Sequence, residues 1–309
     1  MRCLLTSLGV WSMAVIGVCG VQAHAADRSS DSQVPLSASP NGHDTVPVYV
    51  NGKGPYPFIL DTGADGSAVY RWFADQAQLP KVAGKEEDLS GQTGSAKVSM
   101  FRMDDVSLGG LHDHNAEAYG LPDRKDGGQQ AGVLGNDFVD KAVVVFDFPC
   151  RQVSIYPKPA DVQKILGGAH VVHAGVDQGT TLLTLPVTVS GAEGIAVLDT
   201  GSRQTRLTPS FASKAGIDVA SSAFRDDAAI YGTSGNKRVP RTGPVGEVRF
   251  AGLALANATA QVVDLPMLAD DFHGEPAMLL GADLVGRYRL IYDHASKTIG
   301  FDASRCKAY

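Results

Sequence analysis

Phe58-Ile59-Leu60-Asp61-Thr62-Gly63 is answered 138 residues later by Ala196-Val197-Leu198-Asp199-Thr200-Gly201. Each is a short apolar run, of the kind that forms a buried strand, delivering an aspartate into a Thr-Gly turn. The likeness spreads outward from these two points. Val46-Pro47-Val48-Tyr49-Val50-Asn51-Gly52 resembles Leu185-Pro186-Val187-Thr188-Val189-Ser190-Gly191, both alternating strands closed by a turn. A Phe stands twelve residues past each Asp (Phe73, Phe211), and Leu79 or Ile217 stands eighteen past. That spacing predicts a short helix with its apolar face inward. Leu108-Gly109-Gly110-Leu111 matches Phe250-Ala251-Gly252-Leu253, and Val133-Leu134-Gly135 matches Leu279-Leu280-Gly281. Asp147 and Asp293 each lie twelve residues beyond those last glycines and read as turn residues at strand ends. Anchors in one order at constant offsets make two copies of one unit. Two copies are too few for a solenoid, so two lobes facing each other across a pseudo-two-fold axis are expected. The first spans 33–158, a linker 159–173, and the second 174–305.

Composition agrees with a globular, turn-rich chain. Of 309 residues 44% are apolar and 35 are glycine, without the Gly-X-Y period of collagen. The formal net charge of −6 gives no basic footprint, which argues against a nucleic-acid partner. Arg2 is the only charge before Asp27, and an apolar stretch from Cys3 to Val21 leads to Ala23-His24-Ala25. Residues 1–25 therefore read as a signal peptide cut after Ala25, with periplasmic or secreted destination; an uncleaved anchor helix is the alternative. Cys3 and Cys19 leave with the leader. Cys150 and Cys306 remain in an oxidising setting, as one disulfide or as two separate thiols.

The chemistry sits where the repeat is tightest. On a two-fold axis Asp61 and Asp199 meet, and two such carboxylates share one proton over a broad acidic range. The ionised member can deprotonate a water held between them, and the protonated member can hydrogen-bond a scissile carbonyl. No metal and no cofactor enters that scheme. Thr62 and Thr200 have hydroxyls that can bond backbone across the axis, and Gly63 and Gly201 permit backbone conformations that other residues resist.

These stretches resemble the aspartic proteases of the pepsin and retropepsin type, above all bacterial retropepsin-like domains. The resemblance runs through Asn51 to Asp65 with Val133-Leu134-Gly135, and through Ala196 to Ser202 with Met278-Leu279-Leu280-Gly281. It implies a mainly β fold of two duplicated retropepsin-like (acid protease) β-barrel lobes. The hydrophobic-hydrophobic-Gly elements would thread behind the Asp loops as part of a psi-shaped motif. It further implies Asp61 and Asp199 as the catalytic dyad, with Thr62 and Thr200 cross-bonding beneath it. Asp65 would hold substrate backbone or an internal Arg. Lobe two has Arg203 at that place, so the two halves of the cleft differ. Flaps are expected at Ser90-Gly91-Gln92-Thr93-Gly94-Ser95 and at Tyr231-Gly232-Thr233-Ser234-Gly235, with Thr93, Gly94, Tyr231, Gly232 and Thr233 as substrate-facing residues. The second run resembles a pepsin flap, though pepsin carries it in its first lobe. Ordinary surface hairpins are the alternative.

The reading that follows is an exported, monomeric aspartic endopeptidase acting on an extended peptide or protein substrate. A silent peptide-binding module on the same scaffold and a two-chain arrangement are its rivals. His112-Asp113-His114 reads as a solvated turn after Gly109-Gly110, not a metal site, since no cysteine or acidic cluster completes it in the sequence. Trp72 reads as packing within lobe one.

Overall fold

The computed structural model describes residues 32–306, apart from 177, 178 and 233; the leader 1–25 and Thr233 lie outside the described residues. Strands make up 51% of the described residues and helices 11%, so the fold is mainly β. Each lobe is a closed ring of six strands. In lobe one the order is Asp44–Val50, Lys53–Leu60, Gly132–Leu134, Ala68–Tyr70, Leu111–Leu121 and Gly94–Leu108, which pairs back onto Asp44–Val50. In lobe two it is Leu183–Val189, Ala192–Leu198, Ala277–Leu280, Arg206–Leu207, Leu253–Val262 and Arg241–Phe250, again closing on its first strand. The same ring is built twice because the same alternation is written twice. Val46, Val48 and Val50 point inward in one lobe, as do Leu183, Leu185, Val187 and Val189 in the other. The expected helices are Arg71–Gln76 and Pro209–Lys214, each burying its Phe, Phe73 or Phe211. Trp72 packs edge-on against Phe73 and donates its indole N–H to the Gln130 carbonyl.

The lobes are joined by a third sheet. Its strand order is Ser32–Pro35, Gln152–Pro157, Ala142–Asp147, Arg289–Asp293, Thr298–Asp302 and His170–His173. The two closing hairpins of the repeat thus lie side by side, with Val144 opposite Tyr292 and Val145 opposite Ile291. This sheet reads the same from either end: a hairpin and an added strand from each half. The segment expected to link the lobes, 159–173, is itself folded. It carries a short helix, Val162–Leu166, and contributes the edge strand His170–His173. Cys150, in the turn of the first hairpin, is joined by a disulfide to Cys306 beyond the last strand, with Cα atoms 5.1 Å apart. Asp147 and Asp293 are buried turn acceptors. Asp147 takes the Cys150 N–H and the Ser304 hydroxyl, and Asp293 takes the Ser296 hydroxyl and pairs with Lys158.

Candidate active site

The strand Lys53–Leu60 runs parallel to Gly132–Leu134, and Ala192–Leu198 runs parallel to Ala277–Leu280. These inner strands are apolar on both faces, which is why the sequence shows runs here and not alternation. Asp61 donates its backbone N–H to the Leu134 carbonyl (2.9 Å), and Asp199 donates its own to the Leu280 carbonyl (3.1 Å). The Val-Leu-Gly and Leu-Leu-Gly segments therefore sit behind the two Asp loops. Just past each glycine a carboxylate grips the strand after the turn. Asp137 accepts from the N–H and hydroxyl of Ser67, and Asp283 does the same for Thr205. Neither aspartate stood out in the sequence, although each follows its glycine by two residues.

The loops meet on the axis through a reciprocal bond set. Thr62 Oγ1 donates to the Leu198 carbonyl (2.8 Å) and accepts the Thr200 N–H (3.1 Å). Thr200 Oγ1 donates to the Leu60 carbonyl (2.8 Å) and accepts the Thr62 N–H (3.1 Å). Both threonines are buried. Gly63 and Gly201 serve a purpose other than the one the sequence suggested. Neither has left-handed backbone. A Cβ on Gly63 would lie 2.7 Å from the Asp199 carboxyl carbon, and one on Gly201 would collide with the Asp61 carboxylate. Glycine is required because each loop lies against the other lobe's aspartate.

Asp61 and Asp199 are thereby brought to the axis, each carboxylate against the other loop's glycine. Burial pushes the Asp61 carboxyl well above the usual carboxylate range, and the charge of Asp199 adds to this. Burial also raises Asp199, but the Arg206 guanidinium opposes the rise. Asp61 Oδ1 accepts the Gly63 N–H at 2.8 Å, and Asp199 Oδ1 accepts the Ser202 N–H at 2.7 Å.

Two hairpins, at the places expected for flaps, meet beside this pair. The first is the hairpin Lys81–Gly91 and Gly94–Leu108, with Gln92 and Thr93 at its tip. The second is the short hairpin Ile230–Tyr231 and Lys237–Arg238. Thr93 is only 1% exposed, because it plugs into the second tip. Its hydroxyl accepts the Gly232 N–H and bonds Ser234 Oγ, each at 3.0 Å. Its carbonyl accepts from Ser234 Oγ and Asn236 Nδ2. Gly94, beside it, has left-handed backbone and lies against Ser234 and Asn236. Gln92 reaches inward: its amide nitrogen lies 3.4 Å from Asp199 Oδ2, and its carbonyl accepts from Arg206 Nη1 at 2.7 Å.

Two of the expected substrate-side residues meet protein partners. Tyr231 lies in the second hairpin. It is 42% exposed, with the Lys125 ammonium 5.2 Å above its ring. The Asp65 carboxylate accepts the N–H and hydroxyl of Thr181, at the entry to lobe two, and pairs with no arginine among the described residues. Sequence reasoning missed Gln92, Arg206 and a half-buried cluster on the lobe-one side. In that cluster Arg124 bonds Tyr70, His43 and Asp126. Burial and the Arg124 charge push His43 down to about 3, so it is neutral. Nothing in the sequence joins residues 43, 70 and 124, which meet only after the barrel closes.

His112 and His114 lie on the strand Leu111–Leu121, not in a turn, since Gly109 and Gly110 themselves make the turn. Pairing sets Asp105 beside them, and its Oδ1 is 3.0 Å from both Nδ1 atoms. Among the described residues this is the one group with ligand atoms close enough to share a cation. It is exposed, at the end of its strand opposite the flap tip.

A family model described as aspartyl protease matches residues 46–138 and, a second time, residues 185–284. No curated protein matches the chain. The two matches fall one on each lobe and together cover well over half of it, so the chain belongs to that family.

Proposed function

We propose that this aspartyl protease is an exported endopeptidase whose water nucleophile is activated between Asp61 and Asp199. The observation that carries the reading is the meeting of two aspartates from equivalent turns, braced by the reciprocal threonine bonds. With one proton between them, the ionised carboxylate takes a proton from the bound water as its oxygen attacks the peptide carbonyl carbon. The protonated carboxyl gives its proton to the carbonyl oxygen, producing a neutral gem-diol. On collapse, the proton taken from water passes to the amide nitrogen as the C–N bond breaks, and one gem-diol hydroxyl returns its proton to the other carboxylate, which leaves the acid product and restores the singly protonated pair. No covalent enzyme intermediate forms. The substrate would lie extended beneath the two flaps, bound by strand-like backbone hydrogen bonds.

Export to the periplasm or beyond is supported by the apolar leader with its Ala23-His24-Ala25 site and by the Cys150–Cys306 pair. A monomer is the simplest working form, because one chain supplies both aspartates; light scattering of the mature protein tests this. Digestion of a peptide library at several pH values tests the activity. The expected result is cleavage by the wild type, lost on Asp61→Asn and on Asp199→Asn with circular dichroism unchanged. Cleavage surviving in either variant overturns the dyad. Saturable peptide binding by the wild type without products would identify a binding module in place of an enzyme.

A further inference from the structure

Adding 138 to a residue of the first Asp loop gives its counterpart in the second, and the identities hold through Asp, Thr and Gly. They then diverge: Ala64 is matched by Ser202, and Ala68 by Arg206. The places are structurally the same, since Ala68 pairs with Val133 and Arg206 with Leu279 on the strands behind the loops. One lobe thus carries a hydroxyl and a guanidinium where the other carries two methyl groups.

Arg206 is 8% exposed and forms no ion pair among the described residues. A buried cation is costly unless a nearby anion balances it. Its hydrogen bonds point to that anion. Nε donates to Gln261 Oε1 (2.8 Å), and Nη1 donates to both Ser202 Oγ and Gln92 Oε1 (2.7 Å each). Ser202 gives its backbone N–H to Asp199 Oδ1, and Gln92 turns its amide nitrogen toward Asp199 Oδ2. One guanidinium nitrogen is therefore a single residue removed from each oxygen of Asp199, once through the loop and once through the flap. Around Asp61 no arginine stands at the matching place. The other charged neighbours of Arg206 are Arg203, Asp283 and Asp227; Asp199 itself faces Asp61 across the axis.

We propose that Arg206 is the positioning residue that keeps Asp199 as the ionised, proton-accepting member of the dyad and leaves the shared proton on Asp61. Gln92 completes this link only when the first flap is down. The inference rests on the hydrolytic reading above and assigns its two roles. The opposed effects of burial and of Arg206 on Asp199 agree with it.

The test uses the full mature protein with Arg206→Met, Arg206→Lys, Ser202→Ala and Gln92→Ala. The acid limb of kcat/KM against pH, on a peptide the wild type cleaves, reports protonation of the base. In Arg206→Met it should move upward by about one pH unit or more. Arg206→Lys, which keeps the cation, should cancel most of that shift, and Ser202→Ala and Gln92→Ala should give smaller shifts of the same sign as Arg206→Met. Acid limbs that coincide with the wild type in Arg206→Met overturn the proposal; if that variant does not fold, coincident limbs in both Ser202→Ala and Gln92→Ala do so. A second readout needs no turnover: carboxyl-carbon NMR titration of aspartate-labelled protein, with signals assigned through Asp61→Asn and Asp199→Asn. Asp199 should stay ionised to lower pH than Asp61, and the interval should shrink in Arg206→Met. The opposite order in the wild type overturns the assignment. A wild type that cleaves no peptide fails the hydrolytic reading, while the carboxyl titration still decides the role of Arg206.

Discussion

Asp61 is held in a setting that suits chemistry better than stability. Its folded-state pKa is raised, so the folded chain binds that proton more tightly than the unfolded chain does. Stability from this group is full below the ordinary carboxylate pKa and is lost as pH rises toward the raised value. Each unit of elevation is about 1.4 kcal/mol. Asp61→Asn, which cannot ionise, should therefore melt higher than the wild type at neutral pH by several degrees and near it at pH 3. Thermal melts at both pH values check this; an equal difference at each would contradict it. Thr62 works the other way. Thr62→Val keeps the shape but strands the Leu198 carbonyl and the Thr200 N–H in the interior, which should cost about 2–4 kcal/mol in denaturant unfolding, largely recovered by Thr62→Ser. The dyad and its threonines were legible in the sequence because they occur twice at matching places. Arg206 and Gln92 were not, because their meaning lies in where the halves differ and in a contact 114 residues long.

At the scale of elements, the flaps are joined through one side chain. Thr93→Ala should release the Gly232 amide, and at about 1 kcal/mol for a net hydrogen bond its hydrogen exchange should quicken roughly fivefold. Exchange of the core amides of Leu198 and Leu279 should stay unchanged; a uniform acceleration would mean general destabilisation and not release of the latch. The two hairpins could be read from glycine-rich tips between polar strands. That one tip would bury itself in the other could not, because pairing residues 93 and 234 depends on how both barrels close. Tyr231 shows the same limit: its run resembled a pepsin flap, yet its ring is taken up by Lys125 from the opposite lobe. His112 and His114 were misread for a local reason. Gly109 and Gly110 both have left-handed backbone, so the turn needs only those two residues and the strand restarts at Leu111.

For the molecule as a whole, the third sheet and the disulfide hold the halves together. Cys150–Cys306 closes a loop of 156 residues and anchors the C-terminal end to the first hairpin. Replacing both cysteines by serine should lower stability by about 2–5 kcal/mol, seen as an earlier midpoint in guanidinium unfolding; an unchanged midpoint would mean that the bridge does little for the fold. The duplication and the mainly β character were legible from offsets alone. The shared sheet was not, because strand pairing between halves leaves no mark in either half. The palindromic order of that sheet has a further consequence. It is the order two identical half-length chains would build around a true rotation axis. In such a pair every substitution is made twice, so a cation introduced beside one aspartate would appear beside the other and cancel as a source of direction. A single polypeptide carrying both copies is free of that rule. Joining the halves permits handed chemistry: a giver and a taker of protons fixed by inheritance, and not chosen anew by each substrate that arrives.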